Sequence, residues 1–282
     1  MDAGPPSPLR SDELAGLVGP CPPPDPDEVA GLAAARAAVL ERIADACSRV
    51  GRDPADVTLV AVSKTVPAER LRAAVAAGHD VLGENRVQEA AAKIPAVPGP
   101  RWHLVGPLQA NKARRAIELF DVLEAVDSID LARRLDRIAG EVRPGRRLPI
   151  LLEVNVDADP AKAGLMPPAL ADAAGIVLAL PNLEIRGLMT IGRLVGTGEE
   201  ARSTFGALRE LARRVGEEHP GLGTELSMGM TDDFEVAVEE GATIVRVGRA
   251  LFGERARDHA EGRRRLDATN QGAGHELPPA SA

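Results

Sequence analysis

The 282 residues carry 34 Lys and Arg against 42 Asp and Glu, a formal net charge of −8, which leaves no basic field to draw nucleic acid or an anionic membrane. Cys21 and Cys47 are too few for a disulfide framework and stand in no metal-binding spacing, so a reducing cytoplasm is expected and zinc or another metal is not. An apolar share of 44% can build one large core, while no apolar run approaches the roughly 20 residues that span a bilayer and the N-terminus has no export-signal pattern.

Residues 1–27 are Pro-rich and read as a flexible extension. A helix is predicted over 28–50. From there short β-branched runs alternate with Ala/Leu/Arg/Glu stretches of helical period. Strands are predicted at 57–62, 80–85, 101–106, 122–127, 149–155, 183–190, 224–229 and 242–248. Helices are predicted at 67–77, 86–94, 109–119, 130–140, 167–180, 199–216 and 231–240, with ALFG after the last strand. Residues 257–282 begin as a charged helical pattern and decay into Gly, Pro and Ser, a second tail. Eight strands alternating with helices over 28–256, with no GxGxxG after the first, predict a single (β/α)8 TIM barrel with an extra N-terminal helix rather than an open doubly wound sheet.

In such barrels reacting groups gather where the strands end. Only four of the 34 basic residues are lysine, namely Lys64, Lys93, Lys112 and Lys162. Lysine differs from arginine in that a buried amine can deprotonate and condense with an aldehyde. Lys64 alone directly follows an apolar strand, and it is either a solvated strand-end charge or such an amine. Lys93 and Lys162 read as solvated charges on a helix and a loop, and Lys112 as a helix-start cation open to solvent or an anion.

The loops after strands seven and eight, SMGMT and GRALFG, suit phosphate capture by backbone N–H groups, or are ordinary turns. Ser227 offers a hydroxyl there, and Gly229 and Gly248 permit close approach. Thr231 is the expected cap of the next helix, with Asp232 and Asp233 turned away from any anion. Arg246, on the strand face of Ala242, Ile244 and Gly248, requires a partner, which is either a carboxylate or a ligand atom.

The motifs AVSKTVP (61–67), GENRVQE (83–89), WHLVGPLQANK (102–112), EVN (153–155), GLMTI (187–191), LSMGMTDDFEVAV (226–238) and VRVGRALFG (245–253) occur in this order. Over about residues 30–255 the chain resembles the pyridoxal-phosphate homeostasis proteins, single-domain relatives of the N-terminal barrel of alanine racemase. The resemblance implies pyridoxal 5′-phosphate as cofactor, held as a Schiff base on Lys64 with Asn85 as a polar neighbour. It also implies a phosphate cradle of Ser227, Gly229, Met230, Gly248 and Arg249, and places Arg246 against the pyridine nitrogen. Arg86, Thr231 and Arg249 depart from the Tyr, Ser and Thr more frequent in the family at those places.

The implied function is pyridoxal phosphate homeostasis by a monomer, with apo forms of pyridoxal-phosphate enzymes as partners for delivery. Two alternatives stand beside it: a weakly active amino-acid racemase, and a barrel that binds a phosphorylated metabolite without a covalent bond. Alanine racemases complete their site with a second domain and a tyrosine base, and this sequence contains no Tyr, so the reading favours holding the cofactor over turnover.

Overall fold

The computed structural model describes residues 22–192 and 196–253; most of the Pro-rich extension and all of the 257–282 tail lie outside the described residues. Helix α1 (Pro26–Arg49) starts where Asp25 caps it by accepting the Asp27 N–H at 3.0 Å, and Pro26 stands at the first position, where a missing N–H removes no helical bond.

The strands are β1 (Thr58–Val62), β2 (Val81–Glu84), β3 (Arg101–Leu104), β4 (Val122–Val126), β5 (Leu148–Glu153), β6 (Leu183–Met189), β7 (Glu225–Ser227) and β8 (Ile244–Val247), all parallel and paired in sequence order. Pairing of Ala61 with both Leu82 and Val247 closes β1 onto β2 and β8. The helices between them are α2 (Ala68–Ala76), α3 (Val87–Lys93), α4 (Ala113–Leu119), α5 (Ile129–Val142), α6 (Leu170–Leu178), α7 (Arg202–Glu218) and α8 (Phe234–Glu239), and α9 (Arg249–Phe252) follows β8. The eight-stranded barrel with its extra leading helix is therefore as expected.

Strand alternation divides the apolar side chains into two sets. Inward residues Val60, Val81, Val105, Ala125, Leu151, Met189 and Ile244 fill the barrel's centre. Outward ones meet the helices, as on α7, where Phe205, Leu208, Leu211 and Val215 recur at helical spacing. Leu208 is wholly buried, and cutting it to Ala would cost about 2–5 kcal/mol.

Two local differences from the sequence expectation bear on the site. Strand β7 stops at Ser227 because Gly229, at φ +92°, turns the chain out of the sheet. Helix α8 starts at Phe234 with Asp233, not Thr231, at the cap position, because the Asp233 carboxylate takes the Met230 N–H at 2.5 Å and holds residues 230–233 as a turn.

Candidate functional site

Where β1, β2, β7 and β8 end, a cavity of about 600 Å³ opens, lined by Lys64, Asn85, Met230, Thr231, Arg246, Gly248 and Arg249 among others. Six of the eight site residues expected from sequence thus share one cavity. Ser227 and Gly229 are not in its wall.

Lys64 leaves the end of β1 half-buried. The next residue, Thr65, adopts φ 65°, a left-handed conformation that a β-branched residue holds at a cost of about 1–3 kcal/mol. Strain of this kind persists only where neighbours over-determine it. Asn85 stands at the end of β2 with its Oδ1 buried and unpartnered. Gly106 lets it sit there, since a Cβ at 106 would lie 2.6 Å from the Asn85 carbonyl oxygen.

Below the cavity a polar layer crosses the barrel. Arg246, 5% exposed, donates from Nη1 to Ser227 Oγ at 2.7 Å and from Nη2 to the Thr190 carbonyl at 2.8 Å. Ser227 Oγ in turn donates to Glu124 Oε2 at 2.6 Å, and Glu124 Oε1 meets His103 Nδ1 at 2.6 Å. Glu124 is wholly buried, yet its carboxyl is held below the usual range. Burial pushes it up, and His103, Arg246 and Ser227 together outweigh burial. Burial likewise pulls the Arg246 guanidinium down, against the attraction of Glu124, Glu153 and Asp233. Its partner is therefore a carboxylate reached through a hydroxyl, while its edge remains part of the cavity wall.

This geometry changes the reading of Ser227. The hydroxyl is 0% exposed and already gives its proton to Glu124, so it stands beneath the cavity and not on its surface. The Met230 N–H is likewise bonded to Asp233, whose carboxyl burial pushes up. Asp233 is therefore buried and turns inward, contrary to the sequence expectation, because its carboxylate accepts the Met230 N–H that closes the turn. Asp232 does face out, and it pairs with Arg249 across the rim. Gly248 packs on β1, where a Cβ would come 3.2 Å from the Val62 carbonyl oxygen. The N–H groups of Gly248 and Arg249 start α9, where no earlier helical turn supplies acceptors.

Sequence reading missed two groups. Lys93 is not solvated: its side chain is 12% exposed and its Nζ donates to Glu84 Oε1 at 2.7 Å and to the Ser63 carbonyl at 2.9 Å. Glu124 and His103 interrupt the apolar runs VLEAV and WHLV, the same signal that singled out Arg246, and it went unused for them.

A closed parallel barrel with a lysine ending its first strand and an arginine within its last defines a class with the fold of the alanine racemase N-terminal domain, whose family model matches residues 36–256. The chain belongs to this family, in its branch of pyridoxal phosphate homeostasis proteins. It is 44% identical over 223 residues to the protein of that name from Pseudomonas aeruginosa, covering 78% of this chain and 94% of that one. It is 38% identical over 237 residues to its Escherichia coli K12 counterpart, covering 80% and 96%. PipY of Synechococcus elongatus, solved with pyridoxal phosphate bound, superposes with a TM-score of 0.67 at 46% identity, covering 76% of this chain and 100% of PipY. Alanine racemase of Clostridium difficile shares the fold at 13% identity and a TM-score of 0.61, over 77% of this chain and 56% of the racemase.

Proposed function

We propose that this chain holds pyridoxal 5′-phosphate reversibly on Lys64 and serves pyridoxal phosphate homeostasis, limiting the free aldehyde and passing the cofactor to apo-enzymes. The observation that carries the reading is the shared cavity: Lys64, Arg246 and the Gly248–Arg249 turn face one space. Family membership and the cofactor-bound PipY structure support it.

The residues fit the group by their chemistry. Bound pyridoxal phosphate supplies an aldehyde that condenses with a primary amine, forming a C=N bond and releasing water. Lys64 offers the amine. Gly248 and Arg249 offer backbone N–H groups to the phosphate, and Thr231, which lines the cavity, offers the hydroxyl that Ser227 has committed elsewhere. Arg246 lines the same cavity; facing the pyridine nitrogen, as the family resemblance implies, its positive charge would disfavour a proton there. The ring is then a weaker electron sink, which suits holding more than turnover. Asn85, whose buried Oδ1 has no hydrogen-bond partner, lines the same cavity and would be a polar neighbour of the group.

The chain contains no Tyr to serve as the base of alanine racemases. We place the carrier in the cytoplasm, a reading supported by its two-cysteine composition, and take it to act as a monomer. Among the described residues no helix is long and apolar enough to cross a membrane.

Absorption before and after borohydride, followed by peptide mapping, tests the reading. An imine band that borohydride bleaches and an adduct confined to Lys64 are expected; an adduct on Lys112, or none, overturns it. Racemisation well above that of free cofactor, lost in Lys64→Ala, would favour the enzyme alternative.

A further inference from the structure

We propose that Lys93 is a positioning residue for Lys64: one ammonium on α3 secures the backbone on both sides of the attachment lysine. The inference rests on the reading that Lys64 condenses with the cofactor's aldehyde.

On the near flank, Lys93 Nζ donates to the Ser63 carbonyl at 2.9 Å and to Glu84 Oε1 at 2.7 Å. The Ser63 hydroxyl donates to the same Glu84 oxygen at 2.6 Å, and the Ser63 N–H to the Gly83 carbonyl at 2.8 Å. On the far flank, the Thr65 N–H donates to Glu89 Oε2 at 3.3 Å, an oxygen 3.8 Å from Lys93 Nζ. Ser63, Lys64 and Thr65 therefore hang between two carboxylates, and Lys93 joins the two.

The arrangement answers a need of the backbone. Thr65 at φ 65° lies in a turn that the Val66 N–H closes on the Ser63 carbonyl at 3.0 Å, the same oxygen that Lys93 reaches, so the bonds that fix this carbonyl and the Thr65 N–H also fix where the turn carries Lys64. It also explains a lysine in a chain with only four among 34 basic residues. A compact ammonium can direct N–H bonds at the Ser63 carbonyl and Glu84 Oε1 while its charge stays within 3.8 Å of Glu89 Oε2, whereas a planar guanidinium cannot converge on all three oxygens. Glu84, with no exposed side-chain surface, needs the cation as much: its Oε2 has no partner, burial pushes its carboxyl up, and the bonds to Lys93 and Ser63 offset part of that cost.

Fixed backbone on both sides sets where the Lys64 amine meets the aldehyde, and a misplacement of about 1 Å can cost on the order of a hundredfold in rate. The full-length apo-protein is titrated with pyridoxal 5′-phosphate and, separately, with pyridoxine 5′-phosphate, which carries an alcohol in place of the aldehyde. For Lys93→Arg, pyridoxine phosphate should bind within about twofold of wild type, while imine formation slows by about tenfold or more. Glu89→Gln, which weakens the Thr65 flank and its link to Lys93 but leaves the Ser63 and Glu84 bonds in place, should slow it in the same direction by less.

Equal weakening toward both ligands, or lower melting with imine formation at the wild-type rate, overturns the proposal. If Lys93→Arg does not fold, Glu89→Gln decides, and a wild-type rate there overturns it too. A wild type with no trappable Lys64 adduct fails the attachment reading itself; a wild-type adduct with unaltered variants fails only the positioning role.

Discussion

Ser227 accepts a hydrogen bond from Arg246 Nη1 at 2.7 Å, and that bond decides what each residue is for. Ser227 has one proton, which Glu124 takes at 2.6 Å, so the hydroxyl relays a buried carboxylate to a buried guanidinium. Arg246 is in turn held in orientation by Ser227 on one side and the Thr190 carbonyl on the other. The layer beneath the cavity is thus fixed before any ligand arrives, at the cost of burying charges that must remain paired.

Ser227→Ala follows directly. It leaves Glu124 Oε2 and Arg246 Nη1 without their shared partner, and hydrogen bonds to charged groups contribute about 1.5–3 kcal/mol each. The apo-protein should lose about 2–4 kcal/mol in denaturant unfolding, while pyridoxine 5′-phosphate binds with nearly wild-type affinity. A variant of normal stability that loses the ligand would return the hydroxyl to the phosphate, as the sequence alone suggested.

Thr231→Val makes the complementary case. Thr231 lines the cavity, and removing its hydroxyl at nearly constant volume should weaken phosphate-ligand binding by about 1 kcal/mol, roughly fivefold. Isothermal titration with pyridoxine 5′-phosphate measures this. Unfolding should scarcely change, and an unchanged affinity would leave backbone donors as the cradle's sole support.

Gly229→Ala should damage the fold before it touches the ligand. At φ +92° the position strains any side chain, and a Cβ would stand 2.5 Å from the Ala237 Cβ and 3.0 Å from the Phe234 Cα. Strain and overpacking together predict a loss of about 2–4 kcal/mol in the unfolding free energy. Wild-type stability would mean the turn can rearrange.

These cases show which features a linear reading could reach. The eight strands were legible because barrel strands are buried on both faces and punctuated by turns, and Lys64 and Arg246 because each breaks a local rule. Lys93 was not. It lies nine residues from Glu84 but thirty from Ser63, and only the pairing of β1 with β2 brings those oxygens together. Ser227 was singled out for its hydroxyl, but its bonds to Glu124 and Arg246 were not legible, because alternation tells which face a side chain takes and not how deep in the barrel it sits. Glu124, in the middle of an apolar strand, carried the same warning as Arg246, and its partners come from β3 and β7.

One acid-sensitive contribution to folding stability comes from His79, in the turn between α2 and β2. The ring is 3% exposed and packs 6.1 Å from Phe252, a residue of α9 that lines the cavity. Burial, and after it the Arg36 guanidinium, pushes its pKa down from 6.5 to about 4. The folded chain therefore keeps His79 neutral while the unfolded chain takes up a proton below about 6.5, so its contribution is fully present above that pH and lost as pH falls toward 4. The loss amounts to about 3 kcal/mol at most. Denaturant unfolding at pH 7.5 and pH 4.5 should show a smaller drop for His79→Gln than for wild type. Parallel losses in the two proteins would assign the acid sensitivity to the buried carboxylates instead.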